Sequence, residues 1–167
     1  MKVRPAFAML VLLSFPLMAA ESSSPPSGKE VMKQHQAQIQ NRLADVDYNR
    51  KRVVELNMAL ESEEAERFWP IYNTYRAEAA KISRQTLEIM IDYSGAYSTG
   101  NVTDELASSL LQRVNDLQQR QLDLRQKYIQ RIAKDVSPKR AMRFLQIETQ
   151  LDSINNLDIG RELPLVE

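Results

Sequence analysis

The sequence predicts an all-α fold: an antiparallel bundle or cradle of about four long helices, with the second helix kinked near Pro70. Two observations predict this fold. Apolar residues recur at spacings of three and four along most of the chain, which is the period of one helix face. The 167 residues include only four glycines, whereas folds built from strands and tight turns use many. We therefore expect a single helical domain over residues 29–160.

Residues 1–20 have the order of a secretory signal peptide. Lys2 and Arg4 come first, an apolar run follows, and small residues precede a cleavage point near Ala20. The run is shorter than the roughly 18 apolar residues that span a bilayer, and an uncleaved anchor is the alternative. The mature chain is expected in the periplasm, with residues 21–28 as a flexible Ser/Pro linker. The chain has no cysteine, so neither a lipoprotein anchor nor a disulfide is expected.

Charge and composition argue against two classes of ligand. The sequence has 22 basic and 22 acidic residues, and removing Lys2 and Arg4 with the signal peptide leaves 20 against 22. Nucleic-acid binding needs a strong basic excess, so this class of partner is not expected. A small-molecule substrate is not expected either, because no glycine-rich phosphate loop is present.

The first predicted helix begins near Lys29. Much of this segment is Gln, Asn, Arg and Lys, so it is only weakly apolar and should be partly exposed or shared with a partner. Its predicted apolar stripe is Ile39, Leu43, Val46, Val53 and Leu56.

The second predicted helix runs from about Ser62 to Tyr93. Proline removes a helical hydrogen bond and clashes with the preceding turn, so Pro70 predicts either a kink or two abutting helices. The segment from Ser94 to Asn101 is rich in Ser, Gly and Thr, which predicts a loop. The predicted buried stripe is Phe68, Ile71, Tyr72, Tyr75, Ala79, Ile82, Ile89 and Tyr93.

Capping residues mark the starts of the third and fourth helices. Thr103 precedes two acids that suit a helix N-terminus, and Ser137-Pro138 pairs a cap with proline at the first helical position. The fourth helix should end before Gly160, with residues 161–167 as an extended tail. The third stripe, close to a heptad, is Leu106, Leu110, Val114, Leu117, Leu124 and Tyr128. The fourth is Ala141, Phe144, Leu145, Ile147, Leu151 and Ile154.

A short repeat links the starts of the second and fourth helices. Leu60–Ile71 and Val136–Ile147 share Ala, Arg, Phe and Ile at the same offsets, and Val102–Ala107 is a shorter echo. Either each copy is simply a helix start, with an apolar residue, a cap and the first buried positions, or a two-helix unit has been duplicated.

On these motifs the chain resembles the Spy/CpxP family of periplasmic proteins, which carry two Leu-Thr-x-x-Gln motifs at helix starts. Here Glu61 and Glu64 stand at the threonine and glutamine positions of the first copy. Ser137 and Arg140 stand at those positions in the second copy.

The stretch Phe68–Tyr72 and the closing Glu162–Val166 make the pattern closer to a group of proteobacterial exported proteins. The resemblance covers roughly residues 55–150. It implies an antiparallel four-helix cradle, usually dimeric, without a closed enzyme pocket. Family members act as ATP-independent chaperones, as adaptors that bind a sensor kinase, or as metal sensors.

No catalytic or metal-binding constellation stands out, so neither an enzyme nor a cofactor or metal site is expected. His35 is the only histidine, and a metal site needs several such ligands together. The acids between Glu61 and Glu66 could serve acid–base chemistry, but a helix start attracts acidic side chains in any case.

Candidate contact residues for unfolded or envelope proteins fall into three groups. Trp69 should line a contact surface because it points about 100° away from Phe68 on the helix. Met58 and Met90 are candidates because methionine adapts to varied partners. The basic ends of two helices form either a positive patch or merely solvated helix ends, and the candidates there are Arg125, Arg131, Lys139 and Arg140.

Together these features predict a homodimeric periplasmic binding protein. It would act as an ATP-independent chaperone or envelope-stress adaptor through an amphipathic helical surface. The alternative is a structural or assembly subunit that pairs its helices with one dedicated envelope partner.

Overall fold

The computed structural model describes residues 25–165, and over that range it contains five helices and no strand. The all-α fold class is therefore confirmed. No helix in this range is long and apolar enough to cross a membrane. The predicted signal peptide and residues 21–24 of the predicted linker lie outside the described residues. The helices are α1 Gly28–Gln34, α2 Gln36–Met58, α3 Ser62–Ser98, α4 Asp104–Asp135 and α5 Pro138–Glu162.

The first predicted helix divides at His35 into α1 and α2. Ser27 caps α1 in a reciprocal pair with Glu30. Gly28 is buried against α3, where its amide donates to the carboxylate of Asp92. A Cβ at this position would lie 2.8 Å from Asp92 Oδ1 and closer still to the carbonyl oxygen of Glu88. Glycine at position 28 therefore sets how closely α1 can approach α3.

The buried face of α2 differs from the predicted stripe. Val46, Val53 and Leu56 are exposed, and 74% of Leu56 is accessible to solvent. The face that turns inward contains two charged residues, and a pattern read from apolar residues alone cannot find such a face. Its buried and half-buried members are Ile39, Leu43, Asp47, Arg50, Val54 and Met58, so Ile39 and Leu43 of the predicted stripe do turn inward.

A single helix, α3, runs through Pro70, so the alternative of two abutting helices is wrong. The predicted loop is also shorter than expected, because α3 continues to Ser98. Burial of Ala96 accounts for this extension. Gly100, with φ of 65°, then makes the turn toward α4 in a conformation that favours glycine.

Both predicted caps are confirmed: Thr103 accepts from the Leu106 amide, and Ser137 accepts from the Arg140 amide. The predicted end of α5 is wrong, because the helix continues through Gly160 to Glu162. Nothing crowds Gly160, and a single exposed glycine lowers helix stability without stopping the helix.

Aromatic side chains from three helices form the centre of the core. Phe68, Tyr72 and Tyr75 of α3 meet Phe144 of α5 with ring centroids 5.5 to 6.1 Å apart. Tyr128 of α4 lies 5.5 Å from Tyr75. All five residues are at most 1% exposed, so these rings supply much of the apolar burial that holds the helices together.

Ion pairs along α3 and α4 show that these two helices run in opposite directions. Near the start of α4, Arg113 pairs with Asp92 near the end of α3. Further along α4, Lys127 pairs with Glu78, which comes earlier in α3.

Gly28→Ala is expected to lower the free energy of unfolding by about 1–3 kcal/mol, because the added methyl group has no space against α3. Chemical denaturation followed by circular dichroism measures the change. Gly160→Ala is the matched control, since nothing lies within 4 Å of the added Cβ. It should raise stability by up to about 1 kcal/mol. Equal effects of the two substitutions would contradict close packing of α1 on α3.

Candidate binding surface

Trp69 lies at the edge of the aromatic core and is half-buried. Its ring packs edge-on against Phe68 and Tyr72, with centroid separations of 5.1 and 5.5 Å. The Lys51 ammonium of α2 stands 5.5 Å from the Trp69 ring centroid, within cation–π range. Trp69 therefore contributes to the core and shows only part of its surface to solvent.

The two predicted methionines do not join Trp69 in an exposed surface. Met58 is fully buried on the inner face of α2, so it offers nothing to a partner in this conformation. Met90 of α3 is half-buried.

Two of the four predicted basic residues point inward and are paired. Arg125 of α4 donates to Asp152 of α5. Arg140 of α5 bonds Glu64 at 2.8 Å through Nε and the carbonyl oxygen of Met58 at 3.1 Å through Nη1. Arg140 thus joins the end of α2 to the start of α3.

The other two basic residues remain at the surface. Arg131 is exposed beside Asp135, one helical turn away, and Lys139 is exposed near the start of α5. Because Arg125 and Arg140 are engaged elsewhere, these four residues do not form a single basic patch.

A carboxylate is buried in the middle of the molecule. Glu148 of α5 is 0% exposed. Arg50 of α2 contacts both of its oxygens, at 3.2 and 2.9 Å, and the Tyr75 hydroxyl donates to Oε2 at 2.8 Å. Arg50 also bonds Asp152 one turn further along α5, and Asp152 accepts from Arg125. We call these five residues the buried ionic network; they join α2, α3, α4 and α5.

The pKa values of Arg50 and Tyr75 are both raised within the network. Burial alone lowers the pKa of Arg50, but the charges of Glu148 and Asp152 outweigh burial, and the net direction is upward. Burial raises the pKa of Tyr75, and the charge and hydrogen bond of Glu148 raise it further. Arg50 therefore stays cationic and Tyr75 stays neutral near pH 7, which suits a structural role and not acid–base catalysis.

The inward placement of Glu148 and Asp152 leaves the outer side of α5 without charge between Arg143 and Asp158. These two are the only charged residues between Arg143 and Asp158. Surface helices ordinarily carry charged residues on the solvent side. Here the exposed positions are Gln146, Thr149, Gln150, Ser153, Ile154, Asn155, Asn156 and Leu157.

The solvent side of α4 is divided lengthwise into a charged strip and an uncharged strip. The charged strip lies toward α3, where Arg120 bonds Gln85 and Lys127 bonds Glu78. Its exposed members are Asp116, Arg120, Asp123 and Lys127. The exposed uncharged strip is Leu111, Asn115, Gln118, Leu122 and Gln126.

Helical geometry places the two uncharged strips side by side. Arg125 and Asp152 meet across the contact between α4 and α5. On α4, one side of Arg125 faces the core, and Leu122 lies on its other side, toward solvent. On α5, the buried Glu148 lies on one side of Asp152, and Asn156 lies on the other side, toward solvent. We call this combined surface the neutral face; it comprises Leu111, Asn115, Gln118, Leu122, Gln126, Thr149, Ser153 and Asn156.

Sequence analysis missed the buried ionic network, although one signal was present. Glu148 lies four residues after Phe144 and three before Leu151, which is a position within the apolar stripe of α5. A charged residue at such a position needs a buried partner, because burial without one is costly. The identity of the partner, Arg50, depends on how α2 crosses α5 and has no local signature.

Among residues 25–165, no group of three or more His, Cys, Asp or Glu side chains is placed to hold a metal ion. An open groove between α2 and α3 is lined by Tyr48, Tyr72, Ala77 and Ala80 among others. The buried Tyr72 hydroxyl has no hydrogen-bond partner.

Glu148→Gln preserves the size of the side chain but removes the charge that faces Arg50. We expect the free energy of unfolding to fall by about 2–4 kcal/mol, because the buried guanidinium then keeps only one carboxylate partner, Asp152. The double variant Arg50→Met, Glu148→Gln removes both charges and should recover at least about 1 kcal/mol of that loss. Urea denaturation of the three proteins tests this, and a single variant as stable as the parent would be evidence against the network.

Acid is expected to weaken the junction of α2, α3 and α5. The hydrogen bond from Arg140, followed by that from the Glu61 amide, lowers the pKa of Glu64 from its ordinary value of 4.5. A carboxylate whose pKa is lower in the folded state than in the unfolded state stabilises the fold at pH values above its unfolded-state pKa. That contribution is lost as the pH falls through the folded-state value.

The free energy of unfolding should therefore decrease below pH 4.5. Arg140→Gln should make this decrease shallower, because it removes the main cause of the lowered pKa of Glu64. Urea denaturation at several pH values gives the slope of the free energy of unfolding against pH for the parent and for Arg140→Gln. Identical slopes would contradict the conclusion that Arg140 lowers the pKa of Glu64.

Comparison with protein-family models, with curated proteins and with solved structures finds no match to this chain. The Spy/CpxP resemblance therefore stays an expectation from short motifs, and the function has to be argued from the residues of the chain itself.

Proposed function

We propose that this chain is a periplasmic binding protein that acts as an ATP-independent chaperone or envelope-stress adaptor. Its binding site would be the neutral face. The observation that supports this is the depletion of charge along α4 and α5, where exposed positions carry leucines, amides and hydroxyls. The cores of protein interfaces are depleted in charged residues in the same way, and exposed apolar side chains often mark contact sites.

Two kinds of side chain on the neutral face suit an unfolded client. Leu111 and Leu122, 64% and 56% exposed, can cover apolar client side chains. Burying each would contribute roughly 1 kcal/mol. Amides such as Gln118 and Gln126 both donate and accept, so they can bond client backbone in any register. Such binding is weak and reversible, and clients could be released without nucleotide.

The proposal extends to the assembly and to its location. Helices α2 to α5 would form an antiparallel four-helix bundle or cradle, with α3 bent near Pro70. The mature chain, cleaved near Ala20, would be a homodimer in the periplasm. The exposed Arg131 and Lys139 would then lie beyond one end of the neutral face as a small basic rim.

One observation favours the alternative role of an assembly subunit. Val46, Val53 and Leu56 form an exposed apolar strip on α2 at spacings of seven and three. A strip with this spacing suits one partner helix better than varied unfolded clients.

The proposed site is tested by suppression of aggregation of a denatured client at equimolar protein without ATP. Leu122→Glu should reduce suppression at least about threefold, because it places a charge within the apolar contact. Leu56→Glu is the matched control: it makes the same change at an exposed leucine on α2 and should leave suppression unchanged.

Equal loss in both variants would argue against the neutral face as the site. No suppression by the parent protein, together with one stoichiometric partner in a pull-down, would favour the assembly role.

A further inference from the structure

The turn between α2 and α3 is built from residues that prefer to be helical. It consists of Ala59, Leu60 and Glu61, and all three residue types have high helix propensity. The turn between α3 and α4 contains Gly100, and α5 begins at Pro138. The α2–α3 turn thus lacks the glycine or proline that stops a helix at the other two.

The closed turn is strained and is held by another part of the chain. Ala59 has φ of 49° and ψ of 51°, and it is the one non-glycine residue with positive φ in the described range. This left-handed conformation is unfavourable for an L-residue other than glycine, because the Cβ atom comes too close to the following carbonyl oxygen. Arg140 bonds the carbonyl oxygen of Met58, and Arg143 bonds that of Asn57. The end of α2 is therefore held in place by α5.

The segment that precedes this turn contacts the body of the protein through both apolar and charged groups. We call α1 and α2 together the arm. Within α2, which is described throughout, Val54 and Met58 are the fully buried residues. The other main contacts are the Arg50–Glu148 pair and a pair between Arg76 of α3 and Asp47. The surface beneath the arm therefore needs an arginine opposite Glu148, whichever chain supplies it.

We infer that the arm exchanges between two copies of this chain. Residues 59–61 become helical, α2 and α3 join into one long helix, and each arm occupies the surface between α3 and α5 of the other copy. The arm of a second copy is the occupant, because it supplies both the arginine for Glu148 and the glycine that fits against Asp92. The exchanged dimer keeps these contacts and removes the strain at Ala59, which is a recognised route to dimers.

This inference is independent of the proposed function. The neutral face lies on the outer side of α4 and α5, whereas the arm covers the surface between α3 and α5. Exchange of the arm would therefore leave client binding at the neutral face possible. The two proposals share only the homodimer, so a failure to suppress aggregation would not affect the inference, and a dimer without exchanged arms would not affect the proposed client site.

A pair of introduced cysteines distinguishes an exchanged arm from an arm that stays on its own chain. The parent has no cysteine, and Asn57 and Arg143 are in direct contact across α2 and α5. The variant Asn57→Cys, Arg143→Cys would be refolded at high concentration and separated by size exclusion. Each fraction would then be treated with a short thiol crosslinker and analysed under denaturing conditions.

The expected result is crosslinked chains of single mass from the monomer fraction and of double mass from the dimer fraction. A dimer that yields chains of single mass alone would show that the arms are not exchanged. The absence of any dimer at millimolar concentration would also overturn the inference.

Two further variants test the role of the turn. Ala59→Gly should raise the dimer dissociation constant at least about tenfold, because glycine tolerates the closed turn and disfavours the continuous helix. Arg140→Gln should change it less than about threefold, because the exchanged arm of the dimer makes the same bond to Arg140.

Ala44→Gly is the matched control, since Ala44 is exposed within α2 and away from the turn. It should leave the dissociation constant unchanged. Equal shifts in Ala59→Gly and Ala44→Gly would contradict a hinge at residue 59.

Discussion

A carboxylate removed from water must be matched by a cation and by hydrogen-bond donors, or the fold that buries it is lost. Glu148 meets this condition through Arg50 and Tyr75, which belong to two other helices. The requirement determines how α2 lies on the body, because Arg50 has to face α5. Once Arg50 and Asp47 turn inward, Val53 and Leu56 must turn outward. The apolar strip on the outside of α2 is thus a consequence of the charge buried beneath it.

The same requirement shapes the opposite side of the molecule. Because α5 turns Glu148 and Asp152 inward, no charge remains on its outer side between Arg143 and Asp158. On α4 the charged strip lies toward α3, where Lys127 pairs with Glu78 and Arg120 bonds Gln85. Ion pairs between side chains therefore link the helices in the interior, while part of the surface carries apolar and amide side chains. Proteins more often have the reverse arrangement.

Most of the fold could be predicted because its signals are local. Caps at Thr103 and Ser137 depend on a few neighbouring residues, and the aromatic stripe of α3 repeats strongly. Which residues of α2 turn inward could not be predicted from the sequence, because this depends on a charge pair between α2 and α5. The loop after Tyr93 was predicted too long, because burial of Ala96 outweighs the local preference for a turn.

The positions of the predicted contact residues were harder to predict from the sequence than the fold. Met58 was predicted at the surface from residue type, yet its position relative to Val54 places it inside. Arg125 and Arg140 were predicted as parts of a basic patch, but their partners on other helices draw them inward. The neutral face is a pattern of missing charge, visible only once the helices are placed together.

The neutral face also bears on how binding would respond to the ionic surroundings. Dissolved ions weaken attractions between exposed charges, and charge-guided encounters slow down as salt rises. A contact surface made of leucine and amide side chains has no such attraction to lose. Encounter would be unguided, at the roughly 10⁵–10⁶ M⁻¹s⁻¹ typical of neutral partners. Where salinity changes, binding at such a surface would escape the loss of affinity that dissolved ions cause at charged contacts.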